Sequence, residues 1–264
     1  MKSVGRLRNP AAFNLLLFPL TSIVMSTQAA EWSTTEAQLQ YGSLDNPYNG
    51  ETADTTILTL QHASGWKYGD NFFFVDFIND GLRDGFNDTD VYAEWYPNFS
   101  LGKITGCDLS FGPVEDFGVL AGFNFSSDAN VEKFLPGVRV AWAIPGDGFL
   151  NTDITGYQDI GYGDGAPKES DSYMIDFNGA FPFSIGDQDF SIEGHIEYIH
   201  NRTSEFGTVK GWIFAQPQFR WDLGKALFKS PKQLFIGIEY QYWRNKLGTD
   251  VDESAVQALV VWRF

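Results

Sequence analysis

The chain has 264 residues, enough for one large β-domain, and a formal net charge of −16. That acidity argues against nucleic acid as a partner, because nucleic-acid binding needs clustered Lys and Arg. A single cysteine, Cys107, excludes an internal disulfide, and no His lies near it in sequence to make it a nucleophile.

The first stretch reads as a leader rather than as fold. Lys2, Arg6 and Arg8 form a positive start, Phe13–Met25 is a short apolar run, and the small residues of Ser26–Ala30 follow. This is the pattern of a secretory signal peptide, cleaved after Ala29 or Ala30. The expected division is therefore 1–29 signal peptide and 30–264 folded domain. The leader holds three basic and no acidic residues, so its removal takes the net charge to about −19. Its apolar run is too short for a spanning helix, and no later run approaches that length. A membrane reading must then rest on strands.

From Thr34 onward, segments with a period of two alternate with turn chemistry. Thr34–Tyr41 sets Glu36, Gln38 and Gln40 against Ala37, Leu39 and Tyr41. Thr55–His62 sets Thr59 and Gln61 against Leu58 and Leu60. In Asn71–Asn79, Phe74 and Asp76 share a face, and Phe73, Val75 and Phe77 take the other. Asp90–Tyr96 alternates Tyr92, Glu94 and Tyr96 with Val91, Ala93 and Trp95. Asp116–Ser126 puts aromatic and aliphatic residues on one face and small or polar ones on the other.

Phe134–Ile144 turns Arg139 away from Val138, Val140 and Trp142. Phe149–Tyr157 sets Asn151, Asp153 and Tyr157 against Leu150 and Ile154. Ser172–Phe181 sets Asp176 and Asn178 against Tyr173, Ile175 and Phe177. Asp189–His200 places Glu193, His195 and Glu197 opposite Ile192, Ile196 and Tyr198. Gly211–Asp222 places Gln216, Gln218 and Arg220 opposite Ile213, Phe219 and Trp221. Gln233–Asn245 places Glu239, Gln241 and Trp243 opposite Ile236, Ile238, Tyr240 and Tyr242. The chain closes on Ser254–Phe264, whose Val256, Ala258, Val260, Trp262 and Phe264 are wholly apolar.

These are twelve segments, an even number. Their polar faces carry Gln, Asn, Glu, Asp, Tyr and Arg with almost no Lys, whereas the exposed face of a soluble sandwich is usually rich in Lys. Their apolar faces carry Trp and Tyr near strand ends: Trp95, Trp142, Tyr198, Trp221, Tyr242 and Trp262. Both features fit a closed antiparallel transmembrane β-barrel with a polar lumen and aromatic girdles. The terminal aromatic resembles the closing-strand signal read by the assembly machinery of the Gram-negative outer membrane, which is the expected location.

The stretch Asp90–Phe117, DVYAEWYPNFSLGKITGCDLSFGPVEDF, resembles the nucleoside-specific channel-forming family of outer-membrane proteins. Pro97, Phe99, Ser100, Leu101, Thr105, Asp108, Leu109, Ser110, Phe111, Gly112 and Pro113 carry the match, and DNFFFVDFIND before them is similar to the family's third strand. The resemblance implies a monomeric twelve-stranded barrel, a narrow channel for nucleosides, and a capacity to serve as a phage receptor. The matched motif lies in a connection expected on the periplasmic side, so it speaks for fold and family more than for cargo.

The candidate pore lining is Phe74, Asp76, Tyr92, Glu94, Tyr96, Arg139, Asp153, Tyr157, Asp176, Glu193, His195, Glu197, Gln216, Gln218, Arg220, Glu239, Gln241 and Trp243. Aromatic rings stack on bases, and the polar heads hydrogen-bond ribose and base edges. The same groups would also serve simply to fill and satisfy a small barrel's interior. The expected partners are lipid, lipopolysaccharide, the assembly machinery and small solutes such as nucleosides, with no cofactor, no metal and no catalytic residue. Two other readings stay open. One is a structural or receptor barrel without selective transport. The other is a lipase-like enzyme, to which only His195 points, and it has no serine nucleophile setting beside it.

Overall fold

The computed structural model describes residues 30–127, 130–161 and 167–264; the leader expected over 1–29 lies outside them. The strands are β1 (Trp32–Asp45), β2 (Thr52–Trp66), β3 (Gly69–Asn79), β4 (Asp90–Ser100), β5 (Val114–Ser126), β6 (Val131–Trp142), β7 (Phe149–Asp159) and β8 (Ser172–Ile185). They continue as β9 (Gln188–Ile199), β10 (Arg202–Ser204), β11 (Gly207–Val209), β12 (Trp212–Ala215), β13 (Gln218–Asp222), β14 (Leu234–Arg244) and β15 (Glu253–Arg263). One short helix, α1 (Leu101–Thr105), follows β4.

β1 to β9 pair antiparallel in succession, β10 pairs with β11 in a separate hairpin, and β15 closes the sheet by pairing with both β14 and β1. β12 and β13 form one wall segment: both pair with β9 on one side and β14 on the other, in a single register. The wall therefore has twelve spans. Closure leaves no sheet edge open, which is what a β-structure in hydrocarbon requires.

The interruption between β12 and β13 has a local cause. Pro217 has no N–H to give the ladder. Opposite it, Gly194 adopts φ +134°, and an added Cβ there would lie 2.2 Å from the Gln216 carbonyl. The sequence expectation of one unbroken strand over Gly211–Asp222 is corrected to two pieces, with facing preserved.

Both ends of the barrel chain lie at one rim, where the Phe264 N–H donates to the Thr35 carbonyl at 3.0 Å. This terminal end includes one tight link. Ile185 and Gln188 pair directly across Gly186-Asp187, and Gly186 at φ +59° supplies the positive first position of such a two-residue turn. The opposite, loop end carries the hairpin of β10 and β11.

The motif segment corrects a second expectation. Pro97–Ser100 belongs to β4, and only the part beyond it is a connection. Ser100 caps α1 by accepting from the Lys103 N–H at 3.0 Å, and Gly106 ends the helix in the left-handed region at φ +69°. Asp116 on β5 accepts from the Ser100 hydroxyl and from the Gly102 N–H. Lys103 reaches back to Glu31 at 2.9 Å. The motif thus ties β4, α1 and β5 to the start of β1 across the terminal rim.

The spans alternate as their sequences do. On β15, Ala255, Gln257, Leu259 and Val261 are buried, and Val256, Val260 and Trp262 are exposed, as is Phe264 just after it. Exposed apolar residues recur around the whole wall: Leu39, Leu58, Leu60, Phe77, Trp95, Val119, Val138, Ile154, Phe177, Ile192, Ile196, Phe219 and Ile238. The interior, by contrast, holds fully buried polar groups, with Gln257 at 0 %, Glu36 at 1 % and Arg220 at 2 % exposure. That inversion of the soluble pattern marks a lipid-facing exterior and a polar interior.

Candidate functional site: the barrel interior

Two diagonal rows of directly paired, inward residues run from the terminal end to the loop end. The first is Glu36, Gln61, Phe74, Glu94, Asn124, Lys133 and Asp159 across β1 to β7. The second is Arg139, Asp153, Asp176, Glu197, Phe214, Trp243 and Glu253 across β6 to β15. Strand tilt makes such rows climb the wall. Chemistry therefore changes with height inside the barrel.

At the terminal end the interior is held by three arginines. Arg139 grips Asp153 in a two-pronged fork, Nε to Oδ1 and Nη2 to Oδ2 both at 2.7 Å, and Nη1 reaches Asp70 at 2.9 Å. Arg220 Nη1 bridges Glu36 and Glu193, each at 3.1 Å, and its Nε donates to Gln218 at 2.7 Å. Arg263 closes on Glu36 from β15 at 2.5 Å. The paired geometry compensates charges that would be costly to bury alone. A cleft of about 170 Å³ opens here, lined by Asp70, Asn98, Arg139 and residues of the motif segment.

The middle is a belt of acids and amides joined by hydrogen bonds. Asn178 donates to Asp176 at 2.7 Å and to Asp153 at 3.2 Å. His195 Nδ1 lies 3.1 Å from Asp176 Oδ1, and its Nε2 lies 3.3 Å from Gln216 Oε1. Gln216, Gln218 and Gln257 all converge on Glu239, at 3.2, 2.6 and 2.9 Å. Gln218 also reaches Gln38, joining β13 to β1. Asp176, His195 and Glu197 bring ligand-type atoms within 4.8 Å of one another. Both ring nitrogens of His195 are already engaged, so this trio is part of the network.

Aromatic rings gather toward the loop end. Trp243 stacks on Phe214 with centroids 3.9 Å apart and planes at 17°. Trp212 lies 6.3 Å from Trp243 and meets Tyr157 edge-on at 6.4 Å. Tyr96, Leu135, Met174 and Ile199 complete the cluster. Carboxylates border it: Trp212 donates to Glu197 at 3.3 Å, and the Tyr92 hydroxyl donates to Glu94. Tyr96 donates to Asn124 at 3.0 Å, and Asn124 in turn donates to Tyr92.

Above the rings sit cations. Glu169 accepts from Lys133 at 2.7 Å and from Arg202 at 2.6 Å, and Lys133 also pairs with Asp159. Arg202, from the β10–β11 hairpin, lies over both Tyr157 and Trp212. Elsewhere on this rim, Lys246 is buried against Glu253 at 2.7 Å and donates to the Asp45 carbonyl at 2.7 Å. Burial depresses the Lys246 ammonium below its ordinary value, against the pull of Glu253.

Comparison with known proteins decides what kind of barrel this interior belongs to. The family model described as nucleoside-specific channel-forming protein, Tsx, matches residues 29–262. The chain belongs to this family. Its place is accordingly the Gram-negative outer membrane, and its role is that of a channel for small solutes.

Among solved structures, the chain is similar to the NanC porin at 14% identity and TM-score 0.48, covering 86% of this chain and 98% of that one. It is similar to the KdgM porin at 12% identity and TM-score 0.47, covering 88% and 99%. OmpT of Vibrio cholerae follows at 9% identity and TM-score 0.39, covering 88% and 96%. No curated protein matches the chain.

For this family member, the sequence-derived lining residues fall on the inward parity of their strands. Arg139 and Asp153 meet, as do Arg220 and Glu193, and Asp176, His195, Gln216, Glu239 and Gln241 share one network. The five aromatics Phe74, Tyr92, Tyr96, Tyr157 and Trp243 do not form one stack. Phe74 and Tyr92 make a tilted pair at 6.0 Å, whereas Tyr157 and Trp243 meet through Trp212 on the other side. Asp76 stands beside Thr59, which donates to it at 2.5 Å.

Sequence reading passed over Trp212 and Phe214, although they share parity with Gln216. It also passed over Glu36, Gln38, Gln40 and Gln257 as lining residues, although their alternation was plain. Lys133, Arg202, Glu169 and Lys246 carried no such signal. They come from strand ends, a hairpin and loops, where no period fixes a face.

Proposed function

We propose that this channel passes nucleosides, with the loop-end aromatic cluster as their point of capture. The observation that carries this reading is the ring group of Trp212, Phe214, Trp243 and Tyr157 beside Glu197, Glu94 and Asn124. Rings offer stacking worth about 1–3 kcal/mol per base whatever its sequence identity. Carboxylates and amides next to them suit ribose hydroxyls. The membership in a nucleoside-specific family supports the same cargo.

Charge supports a neutral solute. Among the described residues, the middle belt holds the carboxyl groups of Asp76, Glu94, Asp176, Glu197 and Glu239 beside one basic side chain, His195. A phosphate would meet repulsion there. His195 serves as a hydrogen-bonding post between Asp176 and Gln216, and among the described residues no serine hydrogen-bonds to it. Capture has to be weak, because a conduit must release what it binds.

The test is single-channel recording in planar bilayers. Millimolar thymidine or uridine should reduce the ion current saturably, and the matching nucleoside monophosphates should do so far less. A current that responds to nucleotides or sugars but never to nucleosides refutes the reading.

A further inference from the structure

We propose that Arg202 Nη1 and Trp243 Nε1 select nucleosides whose base carries a ring carbonyl; this rests on the nucleoside reading above. Among the described residues, both atoms are buried N–H donors with no hydrogen-bond partner, in residues 7 % and 9 % exposed. Neither group accepts a hydrogen bond, so only an acceptor satisfies it. A buried donor left without an acceptor carries its full desolvation cost, and such groups are rare without a reason.

The two donors belong to one site. The Arg202 guanidinium carbon stands 4.5 Å over the Trp212 ring, and the Trp243 ring centre lies 6.3 Å from that same ring. The third indole makes the contrast: Trp212 Nε1 is satisfied by Glu197. Arg202 is held in place by Glu169 through Nε and by the Tyr157 face, so its free edge is not a swinging side chain. Phe214 fixes the Trp243 ring in the same way.

A base that stacks on these rings presents its exocyclic group in the ring plane. A carbonyl there is an acceptor and would satisfy a donor. An exocyclic amine is a donor and meets repulsion. Arg202 arrives on the β10–β11 hairpin and Trp243 on wall strand β14, so this selectivity would act at the loop end.

The experiment compares inosine, adenosine and purine riboside as blockers of ion current. The three share ribose and the purine ring system and differ at the position of the carbonyl. The wild-type channel should bind inosine about tenfold more tightly than purine riboside, as expected for one hydrogen bond to a charged donor. Trp243→Phe keeps a ring and removes the N–H; Arg202→Gln removes the guanidinium. Each should bring the inosine to purine riboside ratio toward unity, whatever the change in overall block. Ratios within one variant cancel differences in assembly, and the folded band on an unheated gel reports whether each variant inserts. Equal block by all three in the wild type, or an inosine preference that survives both substitutions, overturns the inference and leaves the nucleoside reading standing. Absence of block by any nucleoside overturns both.

Discussion

Removing Arg139 tests how the interior is held together. Its guanidinium forks onto Asp153 through two 2.7 Å bonds and reaches Asp70 at 2.9 Å, and the Asp153 side chain is 3% exposed. Arg139→Met keeps most of the volume but strands the Asp153 carboxylate, to which, among the described residues, only the Asn178 side chain still donates. Stranding one partner of a buried ion pair costs about 3–5 kcal/mol. Adding Asp153→Asn removes the stranded charge, so the double variant should recover most of that loss. Asp70 is a third exposed and can turn to water, so it contributes little to the penalty. The assay is urea-induced unfolding from lipid vesicles, followed by tryptophan fluorescence. A double variant no more stable than Arg139→Met would refute the argument that charge compensation, rather than the shape of the fork, stabilises this level of the barrel.

Three further outcomes follow from the wall. Ile238 sits mid-strand on the lipid face, paired with Phe219 and Ala258, so Ile238→Arg should cost about 2–4 kcal/mol and lower folding yield, as vesicle refolding would record. Gly194→Ala should destabilise the barrel in the same assay, because its Cβ would meet the Gln216 carbonyl at 2.2 Å and its φ of +134° strains any L side chain. Deleting Phe264 should reduce outer-membrane assembly in cells, whereas Leu259→Ile, an inward conservative change, should not; normal assembly of the truncated chain would count against a role for the terminal aromatic.

Facing was legible in the sequence because a period of two fixes it once a single polar residue is placed. Asp76 fixed Phe74, and Arg220 fixed Trp221, since one slip would reverse a whole strand. Closure was legible from the even number of spans and from polar faces poor in Lys. What alternation does not encode is height. Nothing in the one-dimensional pattern says that Arg139 on β6 climbs through Asp176 and Phe214 to Glu253 on β15; that row depends on strand tilt and register. The aromatic lining was therefore read as one set when it forms two groups. Lys133, Arg202 and Lys246 were missed for a different reason. Their burial depends on partners such as Glu169 and Glu253 arriving from other connections. The break at Gln216–Pro217 was foreseeable from proline chemistry alone, and its match with Gly194 was not.

Solute flux into liposomes tests the central claim most directly. Purified barrel would be reconstituted into vesicles, and entry of labelled thymidine, glucose and thymidine monophosphate measured side by side. Thymidine should enter fastest, saturate with concentration and be slowed by unlabelled uridine, while the monophosphate enters slowly because of the acidic middle belt. Entry ranked by size alone, with no saturation and no competition between nucleosides, would contradict the account.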